Sequence, residues 1–175
     1  MAPAGDGIYG RGATTLAAAA KLRDGPPAHV RLAVNAHRAL HAAARRAAPA
    51  EACGLLAGTC VAGPRGTVAA VAAFVPLRNL AAGPAQFRCD PVEFARAHAA
   101  LGRQGLQLLG FAHSHPTGPA ALSAADREQL WRGCVQLVVA GGDGGGWHTT
   151  AWWGARDGGF RELPCAIGRA AGAAP

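Results

Sequence analysis

Residues 106–126 read LQLLGFAHSHPTGPAALSAAD. Leu106–Ala112 is an apolar run of the length and kind that forms a buried strand. His113, Ser114 and His115 follow without a break. Side chains two apart on a strand share a face, so a strand carried through His115 points both imidazoles the same way. Pro116, Gly118 and Pro119 then break the pattern. Ser123 with Asp126 opens a helix, with serine at the N-cap and an acid three residues on. Strand, loop and helix start thus collect two imidazoles and a carboxylate on one short segment.

Working outward, the same reading gives alternating helices and strands. Val30, Leu32 and Val34 alternate as a short strand. Residues 36–48 are rich in Ala and Arg and read as a helix stopped at Pro49. Residues 53–60 and 67–77 read as strands across a Gly/Pro turn, and 86–89 as a further short one. Asp90 reads as an N-cap and Pro91 as the first residue of a helix reaching about Gly102. A helix from Ser123 to about Arg132 precedes an apolar strand at 134–140. Residues 149–154 and 160–163 flank the hairpin turn Arg156-Asp157-Gly158-Gly159. The pattern predicts an α+β domain with α/β-like layers, a mixed β-sheet flanked by helices. Its expected span is 29–165. Residues 1–28 are expected to be a flexible arm, with a helical turn or two at 14–23, and 166–175 a flexible tail. There are no internal repeats.

The chain has 175 residues, half of them apolar and 15% charged, a balance that fits one globular domain with a core. No apolar run approaches the ~18–20 residues that span a bilayer, and the first residues lack a secretory pattern. A cytoplasmic protein without membrane association is expected. Five cysteines without a C-x-x-C pair point to reduced thiols rather than a disulfide framework. The net charge of +7 comes from sixteen Arg and one Lys against ten acids. The arginines are scattered and not interleaved with aromatics, so nucleic acid is not an expected partner.

Neutral imidazole and carboxylate are good zinc ligands, and a catalytic zinc site has three protein ligands and one open position. Residues His113, His115 and Asp126 fill that description. The same residues also read as two ordinary polar side chains and a capping box, and the two roles are compatible. An acid in the first helical turn is favoured as the anion, which a metal ligand needs to be. Glu51 stands just before the apolar Gly54-Leu55-Leu56. It reads either as a solvated acid at a strand start or as a general base serving a metal-activated water.

Taken together, Glu51, His113-Ser114-His115-Pro116, the seven-residue gap, Ser123 and Asp126 resemble the signature of the JAMM (MPN-type) zinc isopeptidases. The blocks Pro49–Gly58, Val75–Asn79 and Phe87–Pro91 are similar to the short prokaryotic members, and the resemblance covers about His29 to Pro164. It implies a cytidine-deaminase-like domain holding one Zn2+ per chain on His113, His115 and Asp126. It further implies Glu51 as acid/base and Ser123 as hydrogen-bond donor to the oxyanion, with Ser114 and Pro116 shaping the ligand loop. The implied substrate is the bond after the C-terminal tail of a ubiquitin-like or sulfur-carrier protein. The modifier is joined either to a lysine or, as the Glu-Ala-Cys-Gly block suggests, to cysteine in a carrier adduct. Leu122 departs from the pattern, since many members have proline there. Two other readings are a non-catalytic MPN scaffold and a RadC-like DNA-associated protein, whose loop resembles His115-Pro116-Thr117-Gly118. The oligomeric state is left open.

Other candidates are weaker. His37 and His41 are four apart on a helix, but Arg38 stands where H-E-x-x-H needs Glu, so a solvated helix face is expected. Neither Gly54…Gly58 nor the glycine run at 141–146 has a P-loop lysine. Trp147, Trp152 and Trp153 read as packing residues, and Cys53 as a small buried one.

Overall fold

The computed structural model describes residues 25–141 and 146–168. The described chain runs β1 (His29–Ala33), α1 (Val34–Ala47), β2 (Cys53–Gly63), β3 (Gly66–Leu77), α2 (Pro91–Arg103), β4 (Gln107–His115), α3 (Ala124–Gln129), β5 (Val135–Gly141), β6 (Trp147–Gly154), β7 (Phe160–Leu163) and β8 (Cys165–Gly168). The strands make one mixed sheet in the order β7-β6-β5-β4-β2-β3-β1-β8. β2 pairs antiparallel with both β3 and β4, and β4 pairs parallel with β5. The expected α+β architecture is therefore present. No helix among the described residues is long and apolar enough to cross a membrane.

Each face of the sheet carries its own core. On one, Ala36, Leu40, Ala43 and Ala44 of α1 cover Val30, Leu32, Leu56, Val71, Leu109 and Val139. On the other, Phe94 and Leu101 of α2, with Leu122 and Leu130 flanking α3, cover Leu55, Leu108, Phe111 and Val138. Burying such a side chain fully is worth about 1.5–3 kcal/mol, so both faces hold the sheet flat against its helices. Asp90 caps α2, accepting from the amides of Val92 (2.8 Å) and Glu93 (3.3 Å), and its carboxylate also pairs with Arg78.

One irregularity in β4 sets the site. Opposite β4, Leu56 pairs with Gly110 and Ala57 with Leu108, so Leu109 is an extra residue, a bulge. Leu108 and Phe111 consequently share one core while Leu109 and Ala112 share the other. Gly110 allows this because a Cβ there would lie 1.8 Å from the Val135 carbonyl oxygen.

Several local expectations are corrected. Val34 does not extend the first strand; Ala33 takes the N-cap position and Val34 opens α1, 38% exposed. Residues 86–89 make only the single bridge Asn79↔Cys89, because the amide of Arg88 bonds to the Asn79 side chain. The helix after Ser123 is one short turn and a half, since Leu130 turns extended and drops into the core. Residues 166–168, expected in the tail, continue the strand that opens at Cys165. They add a parallel strand to the free edge of β1, even though Ala166 and Ile167 remain exposed, because ladder hydrogen bonds ask nothing of the side chains. The helical turn expected at 14–23 lies outside the described residues, as do residues 1–24 of the expected arm and 169–175 of the tail.

Candidate metal centre

β4 continues through His115, so the period-2 rule holds where it matters and His113 and His115 share the face covered by α2 and α3. Antiparallel pairing sets Cys53 opposite His113, which brings Glu51, two residues before the start of β2, to the same end. Asp126 returns on the first turn of α3. His113, Glu51 and Asp126 are buried, and His115 is 9% exposed. Ser123 is exposed at the rim.

The three expected ligands converge. The two Nε2 atoms lie 3.1 Å apart. His113 Nε2 is 3.4 Å from Asp126 Oδ1, and His115 Nε2 is 3.3 Å from Asp126 Oδ2. With one donor atom from each residue, the set lies within 4.8 Å. Ligands at ~2.0 Å around a tetrahedral ion are separated by about 3.3 Å; the two nitrogens stand at that spacing, and Asp126 meets each with a different oxygen, so the donor set could hold a metal ion. The tautomer fits as well. Pro119 O can only accept, so His115 Nδ1 donates to it (3.0 Å) and leaves the Nε2 lone pair for the cleft. The His113 ring is stacked under Phe87 at 4.6 Å.

Asp126 has two occupations. Its Oδ2 accepts from the Ser123 amide (2.8 Å) and hydroxyl (2.7 Å), while Ser123 Oγ accepts from the Asp126 amide (3.1 Å). The capping box is complete, so the cap and ligand readings coexist geometrically. The Ser123 proton is directed at Asp126. Leu122, the departure from the expected proline, is buried in the core it shares with Phe94 and Leu101 of α2; it anchors the loop by packing. Pro116 ends β4, and its carbonyl oxygen would lie 3.0 Å from a Cβ at Gly141. Ser114 is fully buried on the opposite face, where its Oγ accepts from the Ala52 amide (2.8 Å).

The electrostatics follow from burial. Loss of hydration, with the Asp126 charge adding and His115 opposing, raises the Glu51 carboxyl to about 7. Burial also works to raise Asp126, but hydrogen bonds from His113, His115 and Ser123 outweigh it and hold the carboxyl well below the usual range. Burial lowers His113, with Asp126 opposing. Burial works to lower His115 too, yet the Asp126 and Pro119 hydrogen bonds prevail and raise it. A cleft of about 400 Å3 opens beside Glu51, Ser123 and Asp126, with Leu80, Ala81, Ala85, Phe87 and Arg88 along its other wall.

Two residues escaped the reading by sequence. Phe87 stood in a recognisable block, but nothing in it signalled a ring stacked on His113. His41 was expected on a solvated face. It is buried instead, with Nε2 2.8 Å from Thr149 Oγ1 and its ring 4.0 Å from that of His37. Of the glycine-rich run at 141–146, residues 142–145 lie outside the described residues.

Fold and donor set together define an α+β domain with a three-residue candidate metal centre at the end of its central strands. Residues 33–154 match the prokaryotic homologs of the JAB domain, and the chain belongs to that family. It is 42% identical over 101 residues to a probable TtuB-protein conjugate cleaving protease of Thermus thermophilus, a match covering 57% of this chain and 61% of that relative. It is 36% identical over 121 residues to a desampylase of Haloferax volcanii, covering 68% of this chain and 79% of that one. A solution structure of a Desulfitobacterium hafniense protein aligns with a TM-score of 0.70 at 28% identity, over 80% of this chain and 93% of that one. A Salinibacter ruber protein aligns at 0.57 and 30% identity, over 82% and 94%.

Proposed function

We propose that this chain is a zinc-dependent peptidase or isopeptidase that cuts the bond after the C-terminal tail of a ubiquitin-like or sulfur-carrier protein. The observation that carries the reading is the convergence of two imidazole nitrogens and a carboxylate at 3.1–3.4 Å beside the buried Glu51. The names of the two relatives, one for cleaving TtuB conjugates and one for removing a modifier, support the substrate class. A lysine-linked modifier is the better supported of the two substrate variants, and the cysteine–carrier adduct is the second. The domain runs from 29 through β8, which ends at Gly168, with a cytidine-deaminase-like layering, and the protein works in the cytoplasm.

His113, His115 and Asp126 would hold zinc, which when bound supplies Lewis-acid polarisation of the carbonyl and an acidified water. Glu51, buried beside the ligand set, is placed to take a proton from the attacking water and to return it to the leaving amine. Ser123 Oγ sits at the rim of the cleft. Turning its proton from Asp126 Oδ2 toward the substrate lets it donate to the developing oxyanion, while its amide keeps the cap. Phe87, stacked on His113, and the core on that face of the sheet keep bulk water from His113, which strengthens these interactions.

The test is direct. Purified protein should hold close to one zinc per chain and cleave an isopeptide-linked conjugate of a small Gly-Gly-terminated modifier. Glu51→Gln should keep the zinc and lose cleavage. Undiminished turnover by that variant removes Glu51 from the mechanism, and failure to take up zinc removes the metal centre.

A further inference from the structure

Asn79 follows β3, and its side-chain amide makes four hydrogen bonds. Nδ2 donates to the carbonyl oxygens of Glu51 and Gln86, each at 2.9 Å. Oδ1 accepts from the amides of Ala81 and Arg88, each at 2.9 Å. Two donors and two lone pairs are the full capacity of the group. Three of the bonds bind the wall of the cleft, residues 81–88. The fourth reaches Glu51. The N–H of that same peptide unit, on Ala52, donates to Ser114 Oγ at 2.8 Å. The Glu51–Ala52 peptide is thus gripped at both ends, by Asn79 from the cleft wall and by Ser114 from between the two histidines.

We propose that Asn79 is a positioning residue: it sets Glu51 between the cleft wall and the histidine strand. The proposal rests on the hydrolase reading above. A group that moves a proton has to sit within ~0.5 Å of its productive place, and misplacement by ~1 Å costs as much as 100-fold in rate. Backbone pairing with β4 reaches Ala52, whose carbonyl accepts from the Ser114 amide at 3.0 Å, but stops short of Glu51, whose own carbonyl is held by Asn79. The Asx-type bond from Asn79 to the amide two residues on is common in turns and needs no catalytic role. The bond to Glu51 crosses 28 positions of sequence, and local turn chemistry does not call for it.

Asn79→Asp preserves the shape and both acceptor bonds but cannot donate to Glu51 or Gln86. Asn79→Ser retains the local turn and is too short to reach Glu51. Both variants are compared with the whole wild-type chain, zinc-loaded, for kcat and KM on the isopeptide-linked conjugate, for zinc content, and for hydrogen exchange of the Ala52 amide. The expected result is a kcat lowered about 10- to 100-fold, with KM little changed, zinc stoichiometry kept, and faster Ala52 exchange. A kcat close to wild type in a folded variant overturns the proposal, and so does a rise in KM alone, which assigns Asn79 to the cleft wall only. If the wild-type chain cleaves no conjugate, the hydrolase reading fails on its own. Ala52 exchange then decides the clamp, and unchanged exchange in both variants refutes it.

Discussion

Asp126→Ala separates the two occupations of this residue. As a helix cap, the carboxylate serves the Ser123 amide and hydroxyl, and losing a cap costs about 0.5–2 kcal/mol. In a domain of this size 1 kcal/mol moves Tm by about 2–4 °C, so chelator-treated Asp126→Ala should melt roughly 1–8 °C below wild type. As a ligand, Asp126 has a larger effect. Zinc at ~1,000 times its Kd stabilises the fold by about 4 kcal/mol, which raises the wild-type Tm by roughly 8–16 °C. Even disturbing the groups that orient a ligand costs up to ~100-fold in affinity, about 2.7 kcal/mol. Removing the ligand itself should therefore leave no more than about a third of that rise. Ser123→Ala is the control. It breaks the capping box and removes one bond that orients the carboxylate, but the Ser123 amide still holds Oδ2, so it should lower the chelated Tm similarly and keep more of the zinc rise than Asp126→Ala does. The assay is thermal unfolding with and without zinc for the three proteins. An undiminished zinc rise in Asp126→Ala refutes the ligand role and leaves the residue a cap.

Two further predictions concern stability. Leu122→Ala should lose about 2–5 kcal/mol in urea unfolding, because the side chain is only 6% exposed; a loss below ~1 kcal/mol contradicts the anchoring role of Leu122. His41 is lowered to about 4, first by burial and then by the neighbouring His37, Arg45 and His148. A histidine whose folded pKa lies below its unfolded one stabilises fully above pH ~6.5 and loses that contribution as pH falls toward 4. The ceiling is about 3 kcal/mol, and hydration of the ring edge brings it nearer 1–2 kcal/mol. His41→Gln should accordingly flatten the fall in urea midpoint between pH 6.5 and 4. Parallel curves for the two proteins contradict it.

The segment at 106–126 carried both its strand and its ligand set openly, because a strand's period of two and a helix's capping rule are each local. Glu51 was not local. Its place depends on Cys53 pairing with His113 across the sheet, and only the resemblance of its flanking block singled it out. The strand at 165–168 was hidden because its side chains are exposed or half-buried and carry no apolar alternation. His41 was hidden because its partner Thr149 lies 108 positions away. The same holds for Asn79, whose four partners are backbone groups, and backbone groups leave no trace in residue identity.

The bulge at Leu109 shows how far the site depends on such unseen register. Leu108 and Leu109 are both buried and apolar, so the sequence reads the same whichever of them faces which core. Without the extra residue, every position from Gln107 to one end of the strand would exchange faces relative to the other. The helices α2 and α3 select the face that carries Phe111, and Phe111 shares it with His113 and His115. Leu108 can join that same core only because the ladder skips Leu109 and because Gly110 lets the Val135 carbonyl approach. The bulge therefore lets β4 fill both cores at its start and still present two imidazoles to Asp126 at its end. The candidate metal centre is in this sense a product of packing ten Å or so upstream (about three residues at ~3.3 Å each) as much as of the residues that line it.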